Sequence, residues 1–181
     1  MSERDLRRRC RRLLNELEIR PPLDVDELCR RFAQQRGRDL RLLPFDIPVS
    51  GPYGLWIGHD LADYIVYQQQ TSPAHQRHII LHEIGHILAG HENRTPLELP
   101  LSLGRGGAES PDGPVPFPDE SRILHALGRS AYDHADEREA ETVATIILEW
   151  ASVLDHVVSG VAAQTAAQRM DMALSDRLGW L

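Results

Sequence analysis

Apolar residues recur every three or four positions through several stretches of the chain, and between them the period shortens toward two. In residues 4–19, Leu6, Cys10, Leu13, Leu14 and Leu17 share one helical face with arginines opposite. Pro21 and Pro22 stop that helix. Asp24 caps a second helix, whose inner face is Val25, Leu28, Cys29 and Phe32 and whose end is Gly37. Residues 39–45 then read as a strand. Residues 53–68 read as a hairpin turning around Gly58, His59 and Asp60, with strand propensity carried by Tyr64, Ile65, Val66 and Tyr67.

A third helix starts at Ser72, a good N-cap, with Pro73 at its first position, and ends near Gly90. Residues 93–120 hold six prolines and four glycines and predict a long loop, either a lid or an insertion. A short helix is expected over 120–130. A strong one is expected over 133–154, capped by Asp133 and striped by Val143, Ile146, Ile147, Trp150 and Leu154. The tail, 155–181, reads as one or two more helices. The fold class that follows is α+β in one domain of 181 residues. It comprises N-terminal helices (1–38), a small, mainly antiparallel sheet with the third helix (39–92), the Pro/Gly-rich loop (93–120) and a helical remainder (121–181).

Composition narrows the setting. Apolar residues make up 41% and charged residues 26%, a globular profile. No apolar run approaches the roughly 18 residues of a membrane helix, and the N-terminus is too charged for a signal-peptide core, so a cytoplasmic location is expected. The net charge is −7, and all 20 basic residues are arginine. Residues 1–41 carry a net +4 and the remainder a net −11. The cluster "RDLRRRCRR" therefore reads as a solvated helix face; direct nucleic-acid binding is not expected beside so acidic a remainder. The two cysteines, Cys10 and Cys29, read as reduced, semi-buried thiols.

The chemistry concentrates in "HIILHEIGHILAGH", residues 78–91. His82 and His86, four apart on a helix, can point nitrogens at one metal ion, with Glu83 beside it to take a proton from water. The helix between them is rich in isoleucine, so it is buried, and burying two imidazoles and a carboxylate without partners is costly. A zinc ion removes that cost and is the expected cofactor, Zn2+. His78 shares the face, but three histidines in line span over about 10 Å, so it is expected to pack behind the ligands. His91, five residues after His86, is expected to rotate off the shared face. The third ligand is sought in "DEREAETVA", 136–144, where Glu137 and Glu141 lie four apart beside Ala140 and Ala144. Glu137 is expected to ligate, Glu141 to bond the free nitrogen of a ligand histidine, and Glu139 to point elsewhere. His125, Tyr132 and His134 are unranked candidates for binding substrate or stabilising an oxyanion.

These motifs resemble the ImmA/IrrE-type metallopeptidases. "HEIGHILAGH" is similar to their H-E-[IL]-G-H helix, "EREAETVATIIL" to their E-x-x-A-x-x-x-A helix, and "PPLDVDELCRRF" to their N-terminal helices. Glu141 stands where the family often has Asn or Asp. The resemblance implies a zincin-like core with zinc on His82, His86 and Glu137 and with Glu83 as catalytic base. It also implies a protein substrate, a helix-turn-helix repressor whose cleavage controls gene expression. The alternative is a zinc-stabilised regulator that binds such a partner without cutting it.

Overall fold

The computed structural model describes residues 2–48, 51–58, 62–91, 118, 120–127 and 132–152. Helix α1 spans Glu3–Glu16 and α2 Val25–Arg36; strands β1, β2 and β3 span Asp39–Phe45, Gly54–Gly58 and Ala62–Gln68. Helix α3 spans Pro73–Ala89, α4 Glu120–Leu127, and α5 residues 134–152. The architecture is mixed α+β. The hairpin turn at 59–61, nearly all of the 93–120 loop, Leu154 and the 155–181 tail lie outside the described residues.

Helix α1 ends earlier than its periodicity predicts. Glu18 adopts the left-handed conformation (φ 51°), and the Ile19 N–H turns back to donate to the Leu14 carbonyl at 2.9 Å. That closing turn points both Leu17 and Ile19 into the core. No Gly or Asn marks the position, so sequence punctuation gives no sign of it.

The sheet order is β1-β3-β2, with β2 antiparallel to β3 as the hairpin predicts. The β1–β3 pairing is parallel over seven residues, from Asp39↔Ala62 to Phe45↔Gln68. The sheet is therefore mixed, and the expectation of a mainly antiparallel one is corrected. The reason lies in β3, which is buried from Ala62 to Val66 and takes the centre, as an apolar run covered on both faces does. Its Ile65 faces a core built from α1, α2, α3 and α5; Tyr64 and Val66 face a second core closed by Ile123, Ala126 and Leu127 of α4.

One buried charge fixes the sheet to α2. Asp63, 1% exposed in β3, receives Arg36 at 2.6 Å and Arg38 at 3.1 Å, on either side of the left-handed cap Gly37. The indole N–H of Trp56 donates to it at 3.2 Å. Trp56 is thereby held in the edge strand β2, where its backbone also serves the site described below.

Both cysteines are free and buried. Burial pushes the Cys10 thiol up to about 11, against the pull of Arg9, and the Cys29 thiol up to about 12. The expected result is no reaction of either with an aromatic disulfide reagent at about pH 8 until denaturant is added. A raised thiol pKa also fixes the sign of the linkage. The stabilisation from the buried, neutral Cys29 is complete below the ordinary 9.0 and is lost as pH climbs toward about 12. A urea midpoint that falls over that window in wild type, and falls less in Cys29→Ala, checks it.

Candidate metal centre

Local sequence sets the phase of α3. Ser72 Oγ accepts from the His75 N–H at 3.2 Å and Pro73 occupies the first turn, so His82 and His86 fall one turn apart on the same side. Their Nε2 atoms are 3.0 Å apart. The third donor comes from α5, whose start is capped by Asp133 Oδ1 accepting from the Ala135 and Asp136 N–H groups. The helices cross at Gly85 and Ala140. A Cβ on Gly85 would sit 2.8 Å from the Ala140 carbonyl oxygen and 2.9 Å from its Cα. That approach places Glu137, one turn before Ala140, beside the histidines. Its Oε2 lies 3.1 Å from His82 Nε2, and its Oε1 lies 3.9 Å from His86 Nε2.

His82, His86 and Glu137 can hold a metal ion: one donor atom from each lies within 4.8 Å of the others. Two donors at zinc-ligand distance on a tetrahedral ion stand about 3.4 Å apart. Around His82 Nε2 the observed separations, 3.0 Å to His86 Nε2 and 3.1 Å to Glu137 Oε2, lie close to that value, and the other Glu137 oxygen stands 3.9 Å from His86 Nε2. Burial pushes His86 down to about 3, and His82 and His91 add to the effect, so His86 is a neutral imidazole with a lone pair to give.

Each histidine has a further partner. Glu141 Oε2 lies 3.4 Å from His82 Nδ1, as the sequence predicts, and 3.0 Å from His78 Nε2. Burial works against the Glu141 charge, but the bonds and charges of His78 and His82 outweigh it and hold this carboxyl below its usual range. His78 therefore stands behind the centre, not in it. His91 lies off the face that His82 and His86 share, as expected, yet it stays against the far side of His86. Gly90 ends α3 in the left-handed conformation (φ 76°), and the chain folds back so that His91 Nδ1 lies 3.0 Å from His86 Nδ1. His91 Nε2 in turn faces Asp136 Oδ1 at 3.4 Å. The sequence places the helix end at Gly90, where it is found, but does not place His91 against the far side of His86.

Glu83 is 4% exposed and faces the same space. Burial pushes its carboxyl up to about 8 and the charge of Glu137 adds to this, while a hydrogen bond from the Trp56 backbone N–H opposes it. Its Oε2 is buried with no hydrogen-bond partner among the described residues. Gly54 of β2 leaves room for it: a Cβ there would lie 2.8 Å from Glu83 Oε1 and collide with the Ile79 side chain. Tyr132 stacks on His86 with ring centroids 3.7 Å apart, and its buried hydroxyl also has no partner among the described residues. Burial, then the charges of Glu83, Glu137 and Asp136, push this phenol well above its usual value, so it stays protonated and can donate.

These groups line a cleft of about 360 Å3, walled on one side by Pro52–Leu55 and on the other by His75, His78 and Ile79 of α3. Of the three unranked candidates, Tyr132 lines the cleft; His125, exposed on α4, and His134, exposed at the start of α5, do not. The sequence gives no sign of the parts played by Gly54, Gly85 and Asp136, nor of His91 as the partner of His86. Comparison with protein-family models, with curated proteins and with solved structures finds no match to this chain.

Proposed function

We propose that this chain is a zinc-dependent endopeptidase with a zincin-like core, of the ImmA/IrrE type that its motifs resemble. The observation that carries the reading is the meeting, in one cleft, of three metal donors from two helices with a buried carboxyl whose Oε2 lacks a partner among the described residues. A purely structural metal site would have no use for Glu83 in that place: an unsatisfied buried carboxylate lowers stability and is kept where chemistry uses it. Two histidines and a carboxylate suit zinc first among common ions, with a position left for water.

Zinc held there supplies Lewis acidity to a water molecule and to the scissile carbonyl. Glu83 takes a proton from the attacking water and returns it to the leaving amine, so water adds across the C–N bond and a carboxylate and an amine leave. The Trp56 N–H holds the carboxylate in place. Tyr132, which lines the cleft and keeps its hydroxyl protonated, donates to the oxyanion. A peptide lies along the outer edge of β2, which among the described residues pairs only with β3, and adds as a further strand. A helix-turn-helix repressor in the cytoplasm as substrate rests on the resemblance of the motifs. No described helix is long and apolar enough to cross a membrane.

The first test is bound metal per chain in wild type and Glu137→Ala. The expected result is about one zinc per chain in the first and a clear loss in the second. Absence of zinc from both, after zinc is supplied, would end the metallopeptidase reading. Tyr132→Phe is expected to keep the zinc and to lower turnover by about 100-fold, the scale of one oxyanion donor. An unchanged rate would remove Tyr132 from the mechanism. The rival, a zinc-stabilised regulator that binds its partner without cutting it, predicts zinc but an intact partner in the same assay.

A further inference from the structure

His86 is fully buried, so its second nitrogen cannot turn to water and must be satisfied from within. The closing turn of α3 does this. Gly90 N–H donates to the Ile87 carbonyl at 3.2 Å and His91 N–H to the His86 carbonyl at 3.1 Å. This is the paired pattern that folds the residue after a left-handed cap back onto the last turn. In most such turns the two side chains brought together are apolar. Here they are two imidazoles, with Nδ1 atoms 3.0 Å apart, and a carboxylate follows at 3.4 Å.

Only one proton arrangement satisfies that chain with both rings neutral. If His91 carried its proton on Nδ1 and gave it to His86, the His91 Nε2 lone pair would face the Asp136 carboxylate. His86 would then carry its proton on Nε2, where it could not ligate. In the opposite arrangement His86 Nδ1–H donates to His91 Nδ1, and His91 Nε2–H faces the Asp136 carboxylate, 3.4 Å from its Oδ1. Each N–H then points at a lone pair or a negative charge, and the His86 Nε2 lone pair is directed toward His82 and Glu137.

We propose that His91 and Asp136 are positioning residues that fix the tautomer of His86 and so present its Nε2 to the metal. The inference rests on the metal-site reading above. It also explains why the acidic helix contributes on both sides of the centre: Glu137 toward the ion, and its neighbour Asp136 toward the far side of His86.

The test uses the full chain and His91→Leu, an apolar residue that this kind of turn accommodates. Two readouts are taken: the position of the His86 proton by long-range nitrogen–proton NMR on metal-free protein, and zinc affinity by competition with a chelator. The wild type is expected to show the proton on Nδ1. His91→Leu is expected to lose that single tautomer and to bind zinc about 10- to 100-fold more weakly, the scale seen when the partner of a ligand histidine is removed. His91→Gln, whose carbonyl can accept from Nδ1–H, is expected to recover most of the affinity. A mere packing role would not move the tautomer. The inference is overturned if wild-type His86 carries its proton on Nε2, or if His91→Leu changes neither readout. Should His91→Leu fail to fold, Asp136→Ala, in a side chain about a quarter exposed, takes its place with the same expected losses. Wild type that binds no zinc at all would defeat the metallopeptidase reading, while the NMR readout still decides the tautomer.

Discussion

Replacing Glu83 with glutamine is expected to remove turnover while leaving the metal bound. The substitution keeps shape and volume. The amide oxygen can still accept the Trp56 N–H, and none of His82, His86 and Glu137 is altered. What disappears is the ability to take and return a proton. General-base catalysis contributes about 100- to 10,000-fold, so cleavage of a candidate repressor should fall by at least the lower figure. The assay is the appearance of new peptide termini by mass spectrometry, with zinc content measured on the same samples. Stability should change little, because burial and Glu137 already push this carboxyl up to about 8, so near neutral pH one mostly neutral group is exchanged for another of the same size. Glu83→Gln that cuts within tenfold of wild type at equal zinc would refute Glu83 as the base. Wild type that never cuts but binds the repressor, with Glu83→Gln binding equally, would favour the non-catalytic regulator.

Gly85→Ala is expected to damage the centre without touching a ligand. In an ordinary helix interior the change is favourable by about 1 kcal/mol, because alanine loses less backbone entropy than glycine. Here the added methyl would lie 2.8 Å from the carbonyl oxygen, 2.9 Å from the Cα and 3.2 Å from the carbonyl carbon of Ala140. All three are backbone atoms of α5 and cannot rotate away. The helices must separate, and Glu137 sits one turn from the crossing, so its oxygens leave the histidines they now approach. Overpacking of this kind costs about 1–3 kcal/mol, more than the propensity gain. Zinc affinity should fall by at least about tenfold, since one ligand of three is displaced. Chelator competition and a urea midpoint measure the two effects. Ala140→Gly should not rescue either one, because it removes a methyl and leaves the offending backbone in place. A more stable Gly85→Ala protein with unchanged zinc affinity would show that the crossing is looser than described.

The described helices, apart from the early end of α1, and half of the centre are legible from residue order alone. The one-turn spacing of His82 and His86 follows from backbone geometry once Ser72 and Pro73 start α3, and all of these lie on one continuous helix. The hairpin of β2 and β3 was equally local. Glu137 and Glu141 could be placed on one side of α5 from their spacing, because a helix enforces it over any four residues.

Other features needed the folded chain. The parallel pairing of β1 with β3 depends on β3 being covered on both faces; its apolar run permits this, but the layers that cover it come from elsewhere in the chain. Tyr132 and His134 are near neighbours in the chain, yet only Tyr132 packs over His86 and lines the cleft. The approach of α5 to α3 joins residues more than fifty positions apart, and its closeness is set by Gly85 meeting the Ala140 backbone. His91 marks the boundary between the two kinds of knowledge. Gly90 announced in the sequence that the helix ends, but only the left-handed turn it adopts, and the arrival of Asp136 from another helix, brought His91 to the far side of a metal donor. Sequence determines what a backbone repeats over a few residues. Tertiary packing decides which of those repeated faces meet, because that depends on excluded volume and burial summed over the whole chain.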